Sequence, residues 1–335
     1  KDQDAHIKFA FLTGVSKFSK VNIFSGLNNL KDITLNVEYS DICGYTDADV
    51  DTVFAPELEG LDRDKIRHWY NGYNWRGEAV YNPFDLLLLF DCREFRPFWF
   101  ETGTPTFLVD ILTERKVYLP ALLKANASSR LISAFEVGDI STEALMFQSG
   151  YLTIAGEKNL DDNIVFTLTY PNREVRGALT GDILGRWVNN PQKAEESSFA
   201  LYEALKANDF ERIREIFLSL YASIPNDLFR KNDIDQFEGY YASVFYASFA
   251  ALGMDIVPED VSNQGKLDMA VKFNGQVYLF EFKMVMEEAE GKALQQIKDK
   301  QYADKYRSLN QPIYLIGVEF SKKARNVAGF EVEPA

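Results

Sequence analysis

The chain has 335 residues, 46% of them hydrophobic, and a formal net charge of −14 from 36 Lys and Arg against 50 Asp and Glu. That apolar content supports buried cores and excludes wholesale disorder, while the acidic balance opposes strong, sequence-blind nucleic-acid binding, which feeds on Lys and Arg neutralising phosphates. Two cysteines, Cys43 and Cys92, and two histidines, His6 and His68, leave no disulfide framework, no Cys/His zinc set and little material for a Ser-His-Asp centre.

The cysteine usage points to a reducing cytoplasm. Any metal would be held by oxygens, which favours a hard ion such as Mg²⁺ or Mn²⁺. No apolar run reaches the roughly 18 residues that a membrane span needs, and no secretory signal is present. The first residue is Lys1 rather than Met, so a piece of a longer gene product is expected.

In chain order, "IKFAFLTGV" (Ile7–Val15) predicts a short buried strand closed by Thr13 and Gly14, and loop and turn material follows it. Thr46 predicts the cap of a helix containing "YTDADVDTVF". "LDRDKIRHWYNGYNWRGEAVYNPFDLLLLF" predicts a helix, an aromatic turn and a second helix opened by Pro83. Thr104 and Pro105 repeat that cap-and-proline logic in "TGTPTFLVDIL". The run "GYLTIAGEKNLDDNIVFTLTYPN" reads as a hairpin around "GEKNLDDN", and Asn172 caps the helix after it. Two amphipathic helices break near Asn208, and "SIPND" (Ser223–Asp227) is the best linker.

The last part reads as a helix ended by Gly253, the strand "MDIVPED", then "KLDMAVKF" and "QVYLFEF" joined by Asn274-Gly275, the strongest short-range hairpin signal. A long helix over "EEAEGKALQQIKDKQYADKYRSL", the strand "PIYLIGVEF" and an edge "GFEVEP" complete it. The order is α-β-β-β-α-β, a mixed sheet with helices packed on it.

Chemistry concentrates in this part. Asp268 lies on the first hairpin strand. Glu281 and Lys283 lie two apart on its partner and share a face. Glu238 stands on the preceding helix, in register with Tyr241, Ala242, Phe245 and Phe249; Gln296 and Lys300 stand one turn apart on the following helix. Two carboxylates on paired strands can converge on one hard cation, whose charge relieves their repulsion. Taken singly, each residue has a plainer reading: Glu281 and Lys283 as a solvated pair on an edge strand, Gln296 and Lys300 as a wet helix face, Glu238 as a surface acid.

Jointly, Asp268 and Glu281-Phe282-Lys283, set between a Glu-bearing helix and a Gln/Lys/Tyr-bearing helix, resemble the PD-(D/E)xK nuclease superfamily, with Leu267 where its name expects Pro. The resemblance implies a restriction-endonuclease-like fold, a Mg²⁺ or Mn²⁺ ion at Asp268, Glu281 and the Phe282 carbonyl, and catalytic roles for Lys283, Glu238, Gln296 and Lys300; Tyr302 completes a helix signature. It also implies a nucleic-acid substrate, DNA favoured over RNA, and hydrolysis of phosphodiester bonds.

Upstream, "FAFLTGVSKFSKVNIFSGLNNLKDIT", "WYNGYNW", "VYNPFDLLLLF", "FQSGYLTI" and "YPNREVR" resemble an AAA-ATPase-like family found fused to such nucleases. The chain holds no Gly-x4-Gly-Lys-Ser/Thr loop, so ATP binding by it is not expected. The expected organisation is the C-terminal part of an ATPase-like domain with its lid over 1–110, a helical middle region with a β-hairpin over 111–225, and the nuclease-like domain over 226–335: a mixed α/β chain whose first two parts are mainly helical. Two other functions stay open, a non-catalytic binding protein on the nuclease fold and a nucleotide switch. "WYNGYNW" is read as a core-sealing turn in preference to a base-stacking platform.

Overall fold

Helix ends follow the caps that the sequence supplies. Thr46 Oγ accepts from the Asp49 N–H at 3.1 Å, and Asp49 accepts from the Thr46 N–H at 2.9 Å, closing the capping box that starts α1 (Asp47–Thr52). Asp62 caps α2 (Arg63–Tyr70). Asn82 caps α3 (Pro83–Cys92), where Pro83 occupies a position whose N–H would be unpaired in any case. The computed structural model describes residues 6–11, 13, 31–101, 106–115, 117–132, 140–161, 163–225 and 238–335. The expected turn at Gly14 and the loop through residue 30, the Thr104–Pro105 cap, the end of the linker at 226–227 and the helix start before 238 lie outside them.

The chain divides into two compact units. The first comprises Lys1–Thr104 and Ala121–Arg176. In it the aromatic run turns through a short hairpin, β1 (Asn71–Tyr73) against β2 (Val80–Tyr81). Tyr70 and Tyr81 are fully buried with Ile66, Leu86, Leu89 and Phe98, so the run seals a small core. The short helix α4 (Phe98–Glu101) precedes the break to the second unit, which takes α5 (Thr106–Glu114). Back in the first unit, β3 (Ala125–Ser128) leads to the helices α6 (Ser129–Ile132) and α7 (Thr142–Gln148), then to β4 (Thr153–Leu160) and β5 (Asn163–Thr169). The strands form an antiparallel sheet in the order β3-β5-β4, so this stretch carries more sheet than its helical reading expected.

Three local expectations are corrected. Among the described residues of 6–13 there is no strand, and Ile7, Phe9 and Phe11 are exposed: an apolar run alone does not find a partner strand. The polar run expected to turn between β4 and β5 is paired instead, with the ladder reaching Leu160–Asn163. The last long helix is broken, as described below.

The second unit comprises Pro105–Pro120 and Gly177–Ala335. The helix α8 (Arg173–Val188) enters it, and α9 (Pro191–Ala207) and α10 (Phe210–Ala222) meet at Asn208, whose left-handed backbone ends α9. Then come α11 (Glu238–Ala251), β6 (Asp255–Ser262), β7 (Gly265–Phe273), β8 (Gln276–Val285), α12 (Lys292–Asp299), a 3₁₀ segment (Tyr302–Leu309), β9 (Ile313–Ser321) and β10 (Asn326–Pro334). The five strands form one sheet in the order β10-β9-β8-β7-β6, with β8 and β9 parallel and the other neighbours antiparallel. Asn274 and Gly275 both have positive φ, as the tight β7–β8 turn requires.

Strand alternation divides the two faces of the sheet. Phe280 and Phe282 of β8 meet Phe249 and Phe245 of α11 at ring-centroid distances of 5.4 and 5.2 Å. Every residue of α11 from Tyr241 to Ala250 is buried, which explains a helix that is apolar all round. Val277 and Leu279 face the other way, into a cluster with Leu294 and Ile297 of α12 and Tyr302. The helix expected to run through Leu309 stops at Asp299. Gln301 takes a left-handed conformation, and Tyr302 turns inward so that its hydroxyl donates to the Lys266 carbonyl at 2.9 Å. Burial of Tyr302 and Tyr306 overrides a local propensity that carries no Gly or Pro to mark the break.

Candidate active site

The β7–β8 ladder ends at Met269–Phe280, one pair short of setting Asp268 opposite Glu281. The Phe282 N–H that the ladder would have used is taken by Asp268 Oδ2 at 2.7 Å. A half-open edge thus forms on the central strand, with both carboxylates beside it. Glu281 is 1% exposed, and its Oε2 is buried with no hydrogen-bond partner. Its Oε1 accepts from Lys283 Nζ at 2.8 Å and from Gln296 Nε2. Lys283 also donates to the Phe282 carbonyl at 2.9 Å, which places that carbonyl on the same side.

Gln296 reaches Glu281 because α12 comes unusually close to the sheet. Gly317 of β9 is the register partner of Glu281, and a Cβ there would lie 2.3 Å from the Leu294 nitrogen. The start of α12 is held by the carboxylate of Glu319, buried on β9. It accepts from the N–H groups of Gly291 at 3.0 Å, Lys292 at 2.6 Å and Ala293 at 3.2 Å, and from that of Glu290. An anionic cap at a helix N-terminus also complements the helix dipole. Glu319 was not singled out from sequence; its one signal is an acid near the end of an apolar strand.

The electrostatics record crowded acids. Burial and the Asp268 charge push the Glu281 carboxyl up to about 7, with Lys283 pulling the other way. Burial also raises the Asp268 carboxyl, against its bond from Phe282 and the Lys283 charge. Glu238 is raised by burial first, opposed by Lys283 and reinforced by Asp268. Burial alone would lower the Lys283 ammonium, but the bond to Glu281 and the charges of Glu281, Asp268 and Glu238 raise it on balance. Carboxylates that resist ionisation for want of countercharge are a physical reason for a cation to bind.

The structure therefore gathers Asp268, Glu281, Phe282, Lys283 and Gln296, with Glu238 in electrostatic range. Lys300 is exposed at the end of α12, one turn beyond Gln296, whose carbonyl accepts from the Lys300 N–H at 3.0 Å. Among the described residues no three His, Cys, Asp or Glu side chains converge as a metal-holding group. The donor set for a metal is two carboxylates and a backbone carbonyl, all oxygen. It fits a hard cation, and the unpartnered Glu281 Oε2 is the atom left to meet one. A further residue, not foreseen, borders these acids: Tyr118, whose phenol is raised by burial and then by the charges of Glu259, Asp268 and Glu238.

Residues 236–330 match the family model of the PD-(D/E)XK nuclease superfamily. The five-stranded mixed sheet and its flanking helices agree with a nuclease-superfamily domain over these residues. Across nearly the whole chain there is a relative in Azotobacter chroococcum mcd 1, described as an uncharacterized protein in the vnfD 5' region. It is 60% identical over 333 residues, 99% of this chain, and the chain spans 64% of that relative's length. No solved structure matches. Among the described residues no helix is long and apolar enough to cross a membrane.

Proposed function

We propose that the nuclease-superfamily domain is a metal-dependent phosphodiesterase acting on nucleic acid, with DNA favoured over RNA. The observation that carries this is a buried, unpartnered Glu281 oxygen beside Asp268 on the splayed edge of β7 and β8, with Lys283 on the same face. Asp268, Glu281 and the Phe282 carbonyl would hold Mg²⁺ or Mn²⁺, which supplies Lewis-acid charge and an activated water. Lys283 would then leave Glu281 to stabilise charge on the phosphoryl group. Gln296 orients Glu281, and Glu238 keeps Lys283 charged. Lys300, being exposed, has its role on the strand-facing surface. The ATPase-like reading of residues 1–110 is part of the proposal and rests on sequence resemblance.

A supercoiled-plasmid nicking assay with Mn²⁺ tests it. Wild type is expected to nick, and Lys283→Ala to lose at least about a hundredfold in rate, the scale of losing one electrostatic stabiliser. Equal activity in the two proteins would sink the reading. One observation favours a second reading, a non-catalytic binding protein on the same fold: Glu281 Oε1 is already engaged by both Lys283 and Gln296. No metal-dependent cleavage, together with DNA binding that Lys283→Ala leaves unchanged, would support it.

A further inference from the structure

The acids of the nuclease-superfamily domain are bordered by a segment that lies far upstream of the matched residues. After α5, the chain through Pro120 belongs to the same compact unit as the site. Leu119 donates its N–H to Ser243 Oγ at 3.3 Å, and Ser243 Oγ donates to the Gly239 carbonyl at 2.7 Å, tying the segment to the first turns of α11. The Tyr118 ring lies against Gly239, where a Cβ would stand 3.4 Å from its Cδ2. Gly239 adjoins Glu238. Tyr118 is half-buried, and its hydroxyl bonds to no described residue.

The surroundings are anionic: burial raises the phenol, and the charges of Glu259 on β6, Asp268 on β7 and Glu238 on α11 raise it further. A phosphodiester brought to this wall adds another negative charge and needs donors that are not already committed. Lys283 is bound to Glu281 and to the Phe282 carbonyl, and Lys266 is paired with Glu259 at 2.7 Å. Among the described residues beside Glu238, Glu259 and Asp268, the Tyr118 hydroxyl is a donor that no bond commits.

We infer that Tyr118 is a substrate-positioning residue of this site, its hydroxyl donating to a non-bridging phosphate oxygen of the nucleic-acid strand, an assignment that rests on the function proposed above. A side chain from outside the matched residues 236–330 thereby takes part in holding the strand.

The test compares wild type with Tyr118→Phe, which keeps the ring against Gly239 and removes only the hydroxyl. Both proteins are assayed for Mn²⁺-dependent nicking of plasmid over a range of DNA concentrations, for Mn²⁺ affinity by calorimetry, and for thermal midpoint. The expected result is a KM raised about tenfold or more, the scale of one hydrogen bond to a charged group, with kcat within about twofold and Mn²⁺ affinity and midpoint unchanged. Kinetics identical to those of an active wild type overturn this inference alone. A fall in kcat at constant KM, or a loss that follows a lowered midpoint, also overturns it. A wild type that nicks neither plasmid DNA nor a structured RNA overturns it together with the proposed function.

Discussion

Two carboxylates show how differently burial acts on acids of similar sequence context. Asp85 and Glu174 both sit in the first turn of a helix, where an acid ordinarily complements the dipole and stays wet. Here both are essentially unexposed, and both accept from the Trp99 N–H, at 2.7 and 2.9 Å. Burial and then the Asp85 charge drive the Glu174 carboxyl far up, so the pair shares one proton in the folded state. An unfolded chain releases that proton near the ordinary value. Between the two values the folded state binds more protons, and stability falls as pH rises through neutrality. Glu174→Gln, which keeps a donor toward Asp85, is expected to flatten that fall by at least ~1 kcal/mol between pH 5 and pH 8. Urea unfolding at the two pH values checks this, and parallel pH dependences would refute it. The pair was not legible in the sequence, because nothing in "NPFDLL" or "NREVR" says that their helices meet. Asp268, Glu281 and Lys283 were legible, because strand alternation fixes their common side and a tight Asn-Gly turn fixes their register.

At the scale of elements, the site depends on where α12 begins. Gly317 lets the helix close on β9, and Glu319 holds four N–H groups at its start, so Gln296 falls over Glu281. Glu319→Ala leaves those part-buried groups without their acceptor and is expected to cost about 2 kcal/mol. Denaturant unfolding would read the loss, with amide exchange at 290–293 accelerating more than in β8. Unchanged protection there would show that the cap does not hold the helix. Sequence periodicity found α12 but ran it on through Leu309. The break at Gln301 comes from Tyr302 and Tyr306 being drawn under β7, a tertiary preference that no window of local sequence contains. The β-hairpin of the first unit was found for the opposite reason: its alternation is local.

At the scale of the whole molecule, the chain visits the second unit twice, first with 105–120 and then from 177 onward. Linear reading places a boundary near 226, where the composition turns linker-like. Yet Phe217 of α10 packs on Phe249 of α11 at 5.9 Å, and the Tyr278 hydroxyl of β8 donates to Asn208 Oδ1 at 2.9 Å. The matched residues 236–330 thus fold against helices that precede them, and Tyr118 joins them from farther back. Such contacts are long-range, and a single sequence holds no record of them. What the sequence does record is the chemistry of the sheet edge, where Asp268 and Glu281 stand with one buried oxygen unpaired. Crystals of the chain soaked in Mn²⁺ test that chemistry most directly. An anomalous peak bridging Asp268 and Glu281, with Lys283 released from Glu281, is the expected result; an ion-free site with the Lys283–Glu281 pair intact at saturating Mn²⁺ would contradict it.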